Sequence, residues 1–95
     1  MKEEKILTLH PQGKKGVNIS LAKYEQIKEF ILNTIRTKKE ITFKDLTDLA
    51  VSELTDKFDG KVSWYVVSVK LDLEARKLIE RIPNTSPHKL KMTSP

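Results

Sequence analysis

The longest amphipathic pattern in the chain follows Ser20. Apolar side chains recur there at three- and four-residue spacing, at Leu21, Tyr24, Ile27, Ile31 and Ile35. This period predicts an amphipathic helix of about 17 residues. We expect Ser20 to be its N-cap, because a serine hydroxyl accepts a hydrogen bond from a free amide of the first turn.

A second, shorter helix is predicted after a brief extended step at residues 41–43. Thr42 and Asp45 have the spacing of a weak capping box. One face of the helix is apolar and comprises Phe43, Leu46, Leu49, Ala50 and Leu54. Asp59 and Gly60 then supply the residue types of a turn.

The third helix departs from simple amphipathicity. We expect it to begin with Ser63 as N-cap and to run to about Arg76. At about 100° per residue it has two apolar stripes on nearly opposite sides: Trp64, Val67, Leu71 and Ala75 on one, and Val66, Val69 and Leu73 on the other. A helix that is apolar on two sides is central in a fold, or is shared between the core and a partner.

Strand patterns occur at both ends of the chain. The apolar residues 5–9, stopped by Pro11, predict an edge strand, and residues 12–17 predict a loop rich in glycine and lysine. Residues 78–82 fit either a helix or a strand. They are followed by a turn-rich loop at residues 83–87 and by an alternating KLKM segment. We therefore expect a C-terminal β-hairpin.

This order of elements is that of a winged helix-turn-helix. The segment LEARKLIERIP at residues 73–83 resembles the junction between third helix and first wing strand in many bacterial winged-helix proteins, with Lys77 where a glycine is common. Residues 58–76, together with LHP and GKKGV near the N-terminus, resemble a family of small uncharacterised bacterial winged-helix proteins. The resemblance implies a mainly helical α+β fold: a winged helix-turn-helix with three helices, a C-terminal β-hairpin wing and a short N-terminal strand.

The length of 95 residues predicts a single domain. Within it, residues 1–19 form the N-terminal strand and Gly/Lys loop, and residues 20–95 form the winged-helix domain. The chain is 38% hydrophobic and 33% charged, which is typical of a folded soluble protein. Since no apolar run has the length of a signal peptide or a membrane span, we expect a cytoplasmic protein with no membrane partner.

The formal net charge of +5 favours an acidic partner. Residues 76–95 contain five basic and one acidic side chain, a net charge of +4. We expect double-stranded DNA as partner, bound through its phosphates by Lys14, Lys15, Arg81, Lys89 and Lys91. Tyr65 and Ser68 stand at positions of the third helix that would face a DNA groove. Its other groove-facing positions hold the apolar Val67 and Leu71 and the acidic Asp72. Because these three side chains are poorly suited to bonding base edges, we expect little base readout.

The alternative is an interaction module. Trp64, Val67 and Leu71 would then bind a second copy of the chain or another protein. A second possible cover for this stripe is the N-terminal strand, residues 6–9, folded back over it. The sequence leaves both covers open.

Catalytic chemistry has no support in the sequence. Cysteine is absent, and His10 and His88 are far apart with no ligand spacing around either. The Gly13–Gly16 spacing resembles the phosphate-clamping loop of KH domains, but that loop joins two helices, and only twelve residues precede Gly13. We expect a non-enzymatic protein with no catalytic residue, cofactor or metal.

Overall fold

The computed structural model of the chain describes residues 4–85 and 88–93. Three helices form the body, and two small antiparallel sheets flank them. This is the mainly helical, winged-helix-like α+β fold expected from the sequence. The elements in chain order are β1 (Lys5–Leu7), β2 (Asn18–Ser20), α1 (Leu21–Lys38), β3 (Glu40–Thr42), α2 (Phe43–Leu54), α3 (Val62–Ala75), β4 (Ile79–Arg81) and β5 (Lys89–Met92).

The first two helices begin where their capping residues predict. The hydroxyl of Ser20 accepts from the Lys23 amide at 3.4 Å, and that of Thr42 accepts from the Asp45 amide at 3.1 Å. Each cap satisfies an amide that the first turn leaves without a helical partner. The stripes predicted for these helices face the core, where Tyr24, Ile27, Ile31, Ile35, Leu46 and Ala50 are buried.

The start of α3 differs from the prediction. Ser63 is not the N-cap; it lies inside the helix, and Lys61 occupies the cap position without a side-chain cap bond. Val62 is the first helical residue and is almost fully buried. Packing of this valine against the core therefore places the start of the helix two residues earlier than an N-cap at Ser63 predicts.

The C-terminal hairpin is the predicted wing. The strands β4 and β5 pair antiparallel, so residues 79–81 are extended rather than helical. The extended step after α1 becomes a third strand, since β3 pairs with β5 on its other side and gives the order β3-β5-β4. Ile41, Ile79 and Leu90 point from the sheet into the core. Ser86 and Pro87 of the predicted turn-rich loop lie outside the described residues.

The N-terminal strand has a partner that the pattern did not reveal. β1 pairs antiparallel with β2 in a second hairpin, and the boundary predicted after residue 19 falls within β2. Gly16 permits this pairing, because a Cβ there would stand 1.7 Å from the Thr8 carbonyl oxygen. The Gly-x-x-Gly segment thus belongs to a loop between two strands, which excludes the helix-to-helix context of a KH loop.

A single core joins the helices and the wing. Within the described part of the chain, fifteen buried apolar residues form it: Ile19, Tyr24, Ile27, Ile31, Ile35, Ile41, Leu46, Ala50, Phe58, Val62, Val66, Val69, Leu73, Ile79 and Leu90. The stripe of Val66, Val69 and Leu73 accounts for the core side of α3. The opposite stripe of the same helix faces outward.

Lys77 ends α3 in the left-handed conformation, with φ of 64°. The Leu78 amide bonds the Leu73 carbonyl at 3.0 Å, and the Lys77 amide bonds the Glu74 carbonyl at 3.0 Å. These two bonds form a Schellman motif, in which glycine is favoured at the left-handed position. The lysine takes this conformation because the bonds and the wing that follows require it.

We predict that Lys77→Gly raises the free energy of unfolding by about 1 kcal/mol, because a left-handed backbone costs a side chain-bearing residue roughly that much. The greater freedom of glycine in the unfolded chain offsets part of the gain. Urea unfolding measures the change. Lys57→Gly is the matched control, since Lys57 is an exposed turn lysine without a positive φ. An equal gain in both variants would contradict this account.

Candidate functional site

The predicted interface residues share the outward side of α3. Trp64 and Val67 are 44% and 41% exposed, and Leu71 is half-buried. Lys61 and Ser68 lie on the same side, by helical spacing. We call the surface made by Lys61, Trp64, Val67 and Leu71 the α3 face. Large apolar side chains on it contact water where a DNA-reading helix presents polar groups.

The N-terminal segment covers only one end of this stripe. The Leu9 amide donates to Asp72 Oδ1 at 2.9 Å, and residues 10–12 border an open groove of about 460 Å³ whose other wall includes Leu71. Ile6 instead lies in β1, paired with β2. Trp64 and Val67 stay uncovered among the described residues. The segment after β1 therefore lies beside the C-terminal part of the stripe, and residues 6–9 do not cover Trp64 or Val67.

Asp72 is the largest departure from expectation in this region. It does not face a groove: it has no exposed surface. Its carboxylate accepts hydrogen bonds from the Tyr24 hydroxyl and the Leu9 amide. It also accepts one from Arg76 Nε, which lies 2.9 Å from the nearer carboxylate oxygen. Burial, and then the bond to this carboxylate, raise the pKa of Tyr24 well above its ordinary value. Since Asp72 is enclosed and paired, it does not repel a ligand of the α3 face.

Tyr65 and Ser68, predicted to face a DNA groove, are both half-buried. The Tyr65 ring packs edge-on against Phe58 and against Trp64, with 4.9 Å between ring centroids in each case. Lys23 Nζ lies 5.6 Å from the Tyr65 ring. Tyr65 therefore supports Trp64 from the side, and its contribution to DNA binding stays a prediction.

Each cation predicted to make the wing bind phosphate lies beside a carboxylate. The distances are 3.3 Å for all three pairs: Arg81 with Glu74, Lys89 with Glu40, and Lys91 with Glu80. The net charge of +4 counted over residues 76–95 included only Glu80 of β4. Glu74 of α3 and Glu40 of β3 lie outside that range of the sequence. The fold lowers the net positive charge of the wing, and phosphate binding there has to compete with these pairs.

Lys14 and Lys15 are the predicted phosphate ligands without a carboxylate partner among the described residues. Both are exposed in the loop between β1 and β2. That loop also contains residues 10–12, which border the groove beside Leu71. The free positive charge of the predicted site is therefore in the N-terminal loop rather than in the wing.

A buried ionic cluster under the wing was not predicted. Lys70 is 3% exposed; its Nζ lies 3.0 Å from Glu74 Oε1 and 5.0 Å from the centroid of the Phe43 ring. Burial lowers the pKa of Lys70. Burial, then the nearby charges of Lys70 and Arg81, lower the pKa of His88, whose ring stacks on Phe43. The i,i+4 spacing of Lys70 and Glu74 was the available signal, but that spacing is usual on solvated helix faces.

The described residues show no assembly suited to metal chemistry. Within residues 4–85 and 88–93, no three His, Cys, Asp or Glu side chains group as metal ligands. His10 has a local role, in which its Nδ1 accepts from the Gln12 amide at 3.1 Å. No helix in the part of the chain described has the length and apolar character to cross a bilayer.

Comparison with known proteins yields one match. The profile of a family of unknown function, DUF6958, matches residues 5–90. The chain belongs to DUF6958. The matched residues run from β1 into β5, so the N-terminal hairpin, the three helices and most of the wing lie within the DUF6958 region. No curated protein and no solved structure gives a significant match.

We predict that Tyr24→Phe lowers the free energy of unfolding by about 1 kcal/mol at neutral pH, because Asp72 loses a buried donor. The pKa of Tyr24 is raised above 10.0, its value in the unfolded chain. The protonated hydroxyl therefore contributes its full stabilisation of the folded state below pH 10, and this stabilisation is lost as the pH rises above 10. The variant should therefore lose less stability above pH 10 than the parent chain. Chemical unfolding between pH 7 and about 11 measures both effects.

The matched control is Tyr65→Phe. It removes the other tyrosine hydroxyl of the chain without touching the Asp72 carboxylate. The alkaline loss of stability should match that of the parent chain. A Tyr24→Phe protein with the parent's alkaline slope would contradict the assigned bond.

We predict that Glu74→Gln costs about 3 kcal/mol of unfolding free energy, because the buried Lys70 loses its carboxylate. The double change Lys70→Met, Glu74→Gln should recover more than half of that loss. Glu80→Gln removes the carboxylate of an exposed wing pair and should cost about 0.5 kcal/mol or less. Thermal and urea unfolding measure all three variants, and equal costs at residues 74 and 80 would contradict the burial argument.

Proposed function

We propose that the protein is a non-enzymatic, winged-helix-like interaction module that binds another macromolecule through the α3 face. One observation supports this most directly: the fold leaves Trp64 and Val67 uncovered on its central helix while it covers the opposite stripe. Exposed tryptophan in an apolar surface is enriched among residues that dominate binding energy. A protein partner is favoured over nucleic acid, because base edges and phosphates are bound by polar and charged side chains and the exposed part of this stripe is apolar.

Neighbouring groups hold the proposed anchor in position. Trp64 packs edge-to-face against Tyr65, which in turn packs against the buried Phe58. An aromatic side chain that is already ordered loses less conformational entropy on binding than a free one. The α3 face thus combines apolar area with rigidity, which are two requirements of an interaction surface.

Double-stranded DNA is the second candidate. It is favoured by the net charge of +5 and by the exposed Lys14 and Lys15, in a fold similar to DNA-binding winged helices. In this candidate the module is transcription-associated and belongs to a bacterial winged-helix group. Phosphate would have to separate Arg81, Lys89 and Lys91 from their carboxylates, so this candidate ranks second. A cytoplasmic location is part of both proposals.

Affinity capture from cells that express the protein tests the first proposal. We predict that the parent chain retains a protein partner that survives nuclease treatment, and that Trp64→Ser with Val67→Ser loses it. Val51→Ser is the matched control, because Val51 is a 40% exposed valine on α2. Retention by the double variant, or loss upon nuclease treatment, would contradict the proposal.

A gel-shift titration with random duplex DNA examines the second candidate. Several phosphate contacts would weaken binding by orders of magnitude between about 50 and 200 mM salt. Lys14→Ala with Lys15→Ala would weaken it further. The interaction proposal instead expects no complex with DNA at the lower salt concentration.

A further inference from the structure

His88 joins the wing to the start of α2. It immediately precedes β5, and its ring stacks on that of Phe43, with 5.7 Å between the ring centroids and 11° between the ring planes. The Phe43 amide also donates to the His88 carbonyl oxygen at 3.2 Å. Since Phe43 is the first residue of α2, one histidine holds the end of the wing to this helix through both its ring and its backbone.

The surroundings of the His88 ring suit its uncharged form. Its Nε2 is enclosed and has no hydrogen-bond partner within residues 4–85 and 88–93. A neutral imidazole can keep this nitrogen unprotonated, whereas an imidazolium has an N–H on both nitrogens. An enclosed, charged N–H without an acceptor is costly. The ring therefore fits this position only while it is neutral.

Two cations and one carboxylate act on the ring from α3 and β4. Lys70 is almost fully buried, and its Nζ lies 5.0 Å from the centroid of the Phe43 ring on which His88 stacks. Glu74 lies 3.0 Å from Lys70 and 3.3 Å from Arg81, so its carboxylate is already engaged. Burial first, and then the charges of these two cations, lower the pKa of His88 below its ordinary value of 6.5. The Glu74 carboxylate opposes this shift to a smaller extent.

Charged groups on the other neighbouring elements are paired with each other. On α2, Lys44 and Asp48 lie 2.8 Å apart and border an open groove of about 360 Å³ beside the ring. On β5, Lys89 lies 3.3 Å from Glu40 of β3. An imidazolium in this position would therefore add a cation to a cluster whose carboxylates already have partners.

We propose that His88 is an acid-sensitive switch that releases the end of the wing from α2. At neutral pH the uncharged ring stays stacked on Phe43. In mild acid the ring gains a proton and turns into the open groove, where water accepts hydrogen bonds from both of its N–H groups. The stack and the backbone bond between the two residues are then lost, and the end of β5 nearest α2 opens while the helices stay folded. This switch concerns the wing and is independent of the α3 face.

The pH dependence of stability is the first test. Because the pKa of His88 is lowered in the folded chain, the stabilisation that the neutral ring contributes is fully present above pH 6.5 and is lost as the pH falls below it. One proton corresponds to a rise of up to about tenfold in the unfolding equilibrium constant for each pH unit. We predict that urea unfolding between about pH 8 and pH 5 shows this loss in the parent chain.

Substitutions of the two histidines separate His88 from other titrating groups. His88→Phe keeps an aromatic ring beside Phe43 but cannot titrate, so the loss below pH 6.5 should shrink to the part that other groups cause. His88→Gln is a second non-titrating variant and should show the same reduced loss if His88→Phe does not fold. His10→Gln is the matched control, because it removes the other histidine of the chain and should keep the parent's pH dependence.

Amide exchange followed by NMR tests where the chain opens. The protection factor of the Phe43 amide should fall about tenfold between about pH 7.5 and pH 5.5, since its acceptor is the His88 carbonyl. The amide of Ile27, on the buried face of α1, should keep its protection. In His88→Phe both amides should stay protected. The ring signals of His88 should titrate with a midpoint below pH 6.5.

Four results would overturn the switch. Equal losses of stability in acid for the parent and His88→Phe would show that His88 does not sense pH. A Phe43 amide that stays protected in acid would show that the wing does not open there. A parallel loss of protection at Ile27 would show that the whole chain unfolds instead. A His10→Gln protein without the parent's pH dependence would assign the effect to the other histidine.

Discussion

The arrangement of the N-terminal half around α3 depends on one buried carboxylate. Asp72 has no exposed surface and accepts hydrogen bonds from α1, from the segment after β1 and from its own helix. A buried charge is tolerated only when it is paired and hydrogen-bonded, and here Arg76 and Tyr24 meet both conditions. The Leu9 amide completes the set and fastens the N-terminal loop across α3.

The wing has a similar dependence on charges that are distant in sequence. Glu74 on α3 lies between Lys70 and Arg81 and thereby joins the helix to β4. Glu40 on β3 lies beside Lys89 on β5 across the sheet. These pairs place carboxylates beside the cations of a segment that is strongly basic by sequence. The fold class therefore resembles that of DNA-binding modules. The positive charge that would attract phosphate is, however, reduced at the wing, which is where such modules contact DNA.

The α3 helix serves the core and the surface at the same time. Val66, Val69 and Leu73 hold it between α1, α2 and the wing, and the opposite stripe is left as the α3 face. A central helix is among the most rigid elements of a small domain, because its backbone is held on several sides. An apolar surface on such a helix is preorganised for binding, so the same residues that stabilise the fold also present the candidate site.

The local signals in the sequence determined the elements and most of their boundaries. The spacing of Tyr24, Ile27, Ile31 and Ile35 marked α1, the caps at Ser20 and Thr42 marked helix starts, and the alternation at residues 89–92 marked β5. The two apolar stripes of α3 indicated a helix with a second apolar side, and the structure leaves Trp64 and Val67 of that side exposed. Only the tertiary structure decided that β3 joins the wing, that Asp72 is buried and that each wing cation has a carboxylate. Hydrophobic period is a property of neighbours along the chain, whereas ion pairing and burial of polar groups depend on which distant segments the core brings together.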